Sequence, residues 1–166
     1  MWSFSSPVSG WLAAAACLVF VFVLRERAAS ERSVLELRDE LLARAPQELV
    51  QRTWSATEDE LVKDAGISGD VVWDGASQQG FVKLSNMPSN DPTKNQYQLW
   101  IFDKSRSADY PVSAGVFDVP ASGEVAVELR EDLPIDEPFL FAVTLEQPGG
   151  VVVSDRSRLL LVASVD

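Results

Sequence analysis

Short β-rich runs with a two-residue repeat fill the chain from about Asp70 to Ala163. Turn sequences such as Asp74-Gly75 and Pro148-Gly149-Gly150 separate them. Regularly spaced short strands with such turns are typical of an all-β sandwich or barrel. We predict a mainly β fold, an antiparallel β-sandwich, with strands at 71–73, 80–85, 96–103, 112–119, 124–129, 139–146, 151–154 and 158–163.

Two of these runs also predict where their strands lie. The run 97–102 is apolar on both faces, which is typical of a central strand, whereas 124–128 alternates and predicts a strand with one face in water. Aromatic residues within the runs are predicted to form the core: Trp73, Tyr97, Trp100, Phe102, Phe117, Phe139 and Phe141.

An uncharged run of 17 residues, Val8–Leu24, precedes the β region. As a helix it rises about 26 Å, slightly less than the ~30 Å hydrocarbon core of a bilayer. A cleaved secretory signal fits less well, because no charged side chain precedes the run and no small-x-small site follows it. A lipoprotein signal at Cys17 fits poorly, since most apolar residues follow that cysteine. We predict an N-terminus and one transmembrane helix over 1–25.

A helical repeat follows the apolar run. Within 28–45, Val34, Leu37, Leu41 and Ala45 fall on one face, and charged residues of both signs lie between them. This pattern predicts an amphipathic juxtamembrane helix. It is short for a coiled coil, so it gives only weak support for a homo-oligomer formed through this helix.

The next segment also carries a helical signature. Thr57 and Glu60 have the spacing of a capping box, which favours a second helix over 47–61, and Trp54 is predicted to be a packing residue. We therefore divide the chain into the membrane segment 1–25, a helical juxtamembrane region 26–66 and a β-sandwich domain 67–166.

Composition excludes several classes of function. The chain has no histidine, which excludes histidine-based catalysis, and its one cysteine excludes an intramolecular disulfide and a cysteine-built zinc site. Its net charge of −11 argues against nucleic-acid binding, which depends on Lys and Arg.

The remaining candidate sites are poor. Carboxylates cluster at 58–60 and at 131–132 with 136–137, but without the alternating pattern of a calcium loop. Ser154 to Ser157 offers a hydroxyl beside a carboxylate without a base, and reads as a turn. Gly149-Gly150 lacks the lysine and the helix of a phosphate loop. We predict no enzyme, no catalytic, cofactor-binding or metal-binding residue, and no cofactor.

Three segments resemble a known family in their order and spacing. They are QYQLWIFD at 96–103, PVSAGVF at 111–117 and FAVTLEQPGG at 141–150, followed by a last apolar strand. Over residues 70–163 the chain resembles the C-terminal domain of anti-sigma-K factors of the RskA type, and the apolar segment upstream matches the family layout.

The resemblance implies a regulatory function. In that family a cytoplasmic N-terminal domain, often zinc-binding, holds an extracytoplasmic-function sigma factor inactive, one helix crosses the membrane, and proteolysis releases the sigma factor. It implies a bacterial single-pass inner-membrane protein that regulates transcription, with an extracytoplasmic β domain. Arg25, Arg27 and Arg32 indicate the opposite orientation, because positive residues favour the cytoplasmic side.

One part of the family pattern is not found. Only seven residues precede the apolar run, and no His-x-x-x-Cys-x-x-Cys element occurs, so we expect the zinc-type sigma-binding domain to be absent. Contact with a sigma factor would then use a separate or missing domain. A misplaced start, a separately encoded domain and an orphan sensor half all remain open. The alternative function is a membrane-anchored adhesion or assembly module with no role in transcription.

Overall fold

One helix and nine strands make up the described part of the chain. The computed structural model describes residues 33–44, 46–130 and 133–165. Helix α1 spans 33–44. The strands are β1 (Leu49–Thr53), β2 (Ser55–Ala56), β3 (Ser68–Asp74), β4 (Gln79–Ser85), β5 (Gln96–Asp103), β6 (Val112–Phe117), β7 (Val125–Glu128), β8 (Pro138–Glu146) and β9 (Leu159–Ser164).

The predicted transmembrane segment Val8–Leu24 lies outside the described residues. Within 33–44, 46–130 and 133–165, no helix combines the length and the apolar character needed to cross a bilayer.

The strands form two antiparallel sheets. Sheet A has four strands in the order β1-β3-β4-β7, and sheet B has five in the order β2-β9-β8-β5-β6. The prediction of a mainly β, antiparallel fold with two sheets is confirmed. β5 is an interior strand of sheet B, as its apolar pattern predicts, and β7 is one of the two edge strands of sheet A.

The main core lies between the two sheets. Alternate side chains of β3, β4, β5 and β8 point into it, and Trp73, Tyr97 and Phe141 are among its largest buried members. Of the aromatic residues predicted for the core, all are buried except Phe139, which is half-buried and meets Phe102 edge-on. Trp100 and Phe102 belong to a smaller cluster on the opposite face of sheet B.

The prediction of a second helix over 47–61 is wrong. β1 pairs with β3 from Leu49↔Asp74 to Thr53↔Asp70, and β2 pairs with β9. Trp54 lies between β1 and β2 in the core, so the chain passes from sheet A to sheet B at this residue. Pairing with distant strands outweighs the local helical pattern. β structure therefore begins at Leu49, inside the range predicted as helical.

The predicted strand at 151–154 is also wrong. These residues belong to the loop between β8 and β9, which begins with a turn at Gly149 (φ 86°) and Gly150 (φ 74°). The backbone N–H and C=O of Val151 bond to the side-chain amide of Gln98 rather than to the backbone of a neighbouring strand. The other seven predicted strands occur, with ends that differ by a few residues.

Candidate functional site

Helix α1 packs on the outer face of sheet A. Leu41 is fully buried against Val72 and Phe81, which are register partners in β3 and β4. Half-buried apolar residues surround this contact: Val34, Leu42 and Leu49. The predicted amphipathic helix is confirmed over the described residues 33–44, and its buried face is centred on Leu41, whereas Leu37 is 46% exposed. Since the sheet covers Leu41, the same side chain is not free to form a coiled coil.

An ion pair fixes α1 to the same sheet. Arg38 Nη2 donates to Oδ1 of Asp70 at 2.7 Å and to Oδ2 at 2.6 Å, and Gln51 Nε2 donates to Oδ2 at 2.5 Å. The side chains of Arg38 and Asp70 are only 11% and 14% exposed. One carboxylate therefore joins α1, β1 and β3. We call Arg38, Asp70 and Gln51 the α1 clamp.

Sequence reasoning missed the α1 clamp. Arg38 lies among the mixed charges of the helix, where a solvated position is the usual interpretation. The available signal was Asp70, because Asp is depleted in strands and this one precedes the apolar run Val71-Val72-Trp73. An acidic residue at the start of a strand indicates a cationic partner, but the sequence does not show which Arg or Lys that partner is.

The first predicted carboxylate cluster contains a structural ion pair. Arg158 Nε lies 2.7 Å from Asp59 Oδ2, and its Nη2 lies 3.1 Å from Oδ1. The hydrogen bond from Arg158 lowers the pKa of Asp59 below its ordinary 3.8, and the backbone N–H of Leu61 contributes. Glu60 pairs instead with Lys63 at 2.6 Å. The Asp59–Arg158 pair joins the loop after β2 to the residue that precedes β9.

The second cluster surrounds a buried carboxylate at the end of β5. Asp103 accepts hydrogen bonds from the backbone N–H groups of Asp136 (2.7 Å), Ser105 (2.8 Å) and Glu137 (3.2 Å). Burial raises its pKa, but these bonds outweigh burial and leave the pKa below 3.8. Asp136 and Glu137 thus contribute backbone donors. Residues 131–132 lie outside the described residues.

The predicted turn at 154–157 is a hydrogen-bonded loop. The Ser154 hydroxyl donates to Glu146 Oε1 at 2.5 Å and accepts from the Arg156 N–H at 3.0 Å. Asp155 accepts from the N–H of Ser157 at 2.9 Å, and this bond lowers its pKa. The side chains therefore serve loop geometry. Across the described ranges, no three His, Cys, Asp or Glu residues are grouped so that they could hold a metal ion.

Fold and contacts together define a helix-capped antiparallel β-sandwich whose charged groups hold loops and a helix in place. The family model described as "Anti-sigma-K factor rskA, C-terminal" matches residues 11–155. The chain therefore belongs to this family, as its three motifs indicated. The match extends further toward the N-terminus than the resemblance over 70–163 and begins within the apolar run. No curated protein and no solved structure matches the chain.

Proposed function

We propose that this chain is the membrane-anchored sensor part of an anti-sigma system. It would control an extracytoplasmic-function sigma factor by binding and gating, with no reaction of its own. The family match supports the proposal, because one continuous match over 11–155 includes most of the apolar run, α1 and most of the sandwich. In this proposal Val8–Leu24 spans the bacterial inner membrane once and the β domain is extracytoplasmic.

The observation that carries the proposal is the docked helix α1. It follows the apolar run in sequence and is held to sheet A by Leu41 and by the α1 clamp. The contacts of Leu41 and Arg38 with sheet A stabilise the described helical residues 33–44. A change in the sandwich that weakens this contact would therefore alter the segment between sandwich and membrane. This is a physical route from an outside event to a membrane-borne regulator.

A transcription assay tests the function. The gene that encodes the full chain is deleted from its bacterial host, and transcripts that depend on extracytoplasmic-function sigma factors are measured. We expect transcripts of one such sigma factor to change and to return to the starting level on complementation. Unchanged transcripts for every such sigma factor of the host would refute the regulatory function and favour the adhesion or assembly module.

Two matched variants test whether the function needs the contact between α1 and sheet A or only the presence of the protein. Asp70→Asn breaks the α1 clamp, whereas Asp91→Asn makes the same chemical change in an exposed pair with Lys94. We expect complementation by Asp70→Asn to leave the transcript level altered and Asp91→Asn to restore it. Equal behaviour of both variants at equal protein level would refute transmission through α1.

An alkaline phosphatase fusion tests the orientation. Phosphatase joined to Asp166 is active only outside the cytoplasm. We expect activity from the membrane fraction. An inactive fusion, present in the membrane at full length, would refute the extracytoplasmic placement and leave the orientation that Arg25, Arg27 and Arg32 indicate.

A further inference from the structure

Exposed apolar side chains gather in one groove. Of the six large hydrophobic side chains exposed in the described residues, five line the groove: Tyr110 (65%), Val116 (41%), Leu133 (48%), Val152 (92%) and Val153 (50%). The sixth, Leu37, lies on α1. The groove has a volume of about 650 Å³ and lies between strand β6 and the loop that joins β8 to β9. Concave surfaces of this volume with a mainly apolar lining are typical of ligand-binding sites.

Hydrogen bonds hold the walls of the groove in place. The side chain of Gln98 bonds both backbone groups of Val151, the N–H at 2.8 Å and the C=O at 2.9 Å. Arg156 Nη2 donates to the Ala108 carbonyl at 2.8 Å and joins the β8–β9 loop to the loop after β5. The exposed valines therefore stand on a loop fixed to β5. The groove exists without a partner, which lowers the entropy cost of binding.

Strand β6 forms one side of the groove and is an edge strand of sheet B. On the side away from β5, the described residues give it one backbone hydrogen bond, from the Arg130 N–H to the Ala114 carbonyl at 3.1 Å. Edge strands offer backbone donors and acceptors to another chain.

A second concavity lies on the other side of the same edge. A cleft of about 290 Å³ opens between β6 and β7, with Phe117, Val125 and Val127 in its lining. Groove and cleft share Gly115 and Val116. A strand added beside β6 would point alternate side chains toward the two faces of sheet B, and so toward the two concavities.

The charge of the groove selects among ligands. Among the described residues, Arg106 is the one charged residue that lines the groove, and no described carboxylate does, although the chain has 25 Asp and Glu against 14 Lys and Arg. Arg106 Nη2 donates to the Pro134 carbonyl at 3.1 Å, and its buried Nε has no hydrogen-bond partner among the residues that the structure describes. A ligand carboxylate near this guanidinium is therefore favoured, and a ligand cation is disfavoured.

We propose that groove and cleft form a peptide-binding site, in which an extended segment of a partner protein adds a strand to β6. Backbone hydrogen bonds to β6 supply affinity, and the two concavities select apolar side chains. One acidic side chain of the segment lies at Arg106. A free amphiphile would fill the groove but could not use the strand edge, so the geometry favours a peptide. The site does not require the regulatory function proposed above.

Binding of designed peptides to the purified full chain tests the site. The probe is a fluorescent eight-residue peptide of alternating valine and serine with one glutamate near its end, followed by anisotropy. A second probe replaces the glutamate by lysine, and a third carries N-methyl groups on alternate amides, which removes backbone donors but keeps side chains. We expect saturable binding of the glutamate peptide and at least about tenfold weaker binding of the other two.

Variants locate the binding on the chain. Val153→Asp puts a carboxylate in the groove and should weaken binding of the glutamate peptide at least about tenfold. Leu37→Asp is the matched control, because it changes an exposed apolar residue outside the groove, and it should leave binding unchanged. Arg106→Gln should remove the preference for glutamate over lysine, and Arg106→Lys should keep it.

Several results would overturn the proposal. They are no saturable binding up to about 1 mM peptide, equal binding of the N-methylated peptide, equal effects of Val153→Asp and Leu37→Asp, and displacement of the peptide by decanoate at a lower concentration than by unlabelled peptide. The last result would show an apolar ligand site without strand addition. Because the binding assay uses the purified chain alone, a negative result refutes the peptide-binding site without bearing on the regulatory function, which the transcription assay tests.

Discussion

The α1 clamp predicts that Asp70→Asn loosens helix α1 while the sandwich stays folded. A fully buried ion pair costs about 3–5 kcal/mol when one partner is removed, and an exposed pair costs about 0–1 kcal/mol. Arg38 and Asp70 are 11% and 14% exposed, which places them between these limits. We expect the contact to weaken by about 2 kcal/mol, equivalent to about a 30-fold rise in the opening equilibrium of α1.

Amide hydrogen exchange of the full chain measures this opening. Peptides that cover 33–44 should exchange about 30 times faster in Asp70→Asn than in the parent chain, and peptides from β5 and β8 should keep their rates. The control Asp91→Asn changes an exposed pair and should leave α1 unchanged. Arg38→Met should act like Asp70→Asn, and the double variant should cost less than the sum of the two.

Two results would refute this reasoning. If the exchange of β5 and β8 rises as much as that of α1, the helix and the sandwich open as one unit and α1 has no separate equilibrium. If the double variant costs the full sum of the single changes, Arg38 and Asp70 do not interact with each other in solution.

Further predictions concern backbone geometry and titration. Gly69→Ala should destabilise the sandwich by about 3 kcal/mol or more in urea unfolding, because Gly69 has a φ of 134° and a Cβ there would lie 2.0 Å from the Lys83 carbonyl oxygen; an unchanged midpoint would contradict that geometry. Burial raises the pKa of Tyr97 to about 12, so an absorbance titration should show a step near that pH, which Tyr97→Phe removes. Because the folded pKa of Asp103 is below its ordinary 3.8, its stabilisation is complete above that pH and is lost as the pH falls through the folded value. The melting temperature should therefore depend less steeply on acidic pH in Asp103→Asn than in the parent chain. The substitution should also lower the free energy of unfolding by about 1–3 kcal/mol at neutral pH. An unaltered pH dependence would contradict the assigned contacts.

The sequence predicts those strands that carry their own hydrophobic signal. β5 and β8 are long apolar runs with turn residues beyond their ends, and both occur where the pattern places them. β1 and β2 have only a weak signal, since Leu49 and Val50 are half-buried and every residue of 51–56 except Trp54 is exposed. They exist because β3 and β9 offer pairing partners. Such pairing is set by the whole fold, so no local window of sequence contains it.

The valines at 151–153 show the opposite error. β-branched residues in succession predict a strand, but side-chain amides hold this loop instead: Gln98 bonds Val151, and Gln96 bonds the N–H of Gly149 at 2.8 Å. The groove was not predicted either, because it also depends on contacts between distant parts of the chain. Its five exposed apolar residues come from three separate segments, and only the fold brings them together.

The pairing of β2 with β9 has a consequence for the order in which the protein is made. Ser55 pairs with Val162, more than 100 residues later in the chain. On the ribosome, more than 100 further residues are synthesised after Trp54 before its neighbours meet their partner strand β9. Sheet B therefore cannot close until β9 has been synthesised. A premature stop anywhere before Leu159 would leave an edge of the hydrophobic core open, so nascent and truncated chains are expected to be targets for chaperones and quality-control proteases.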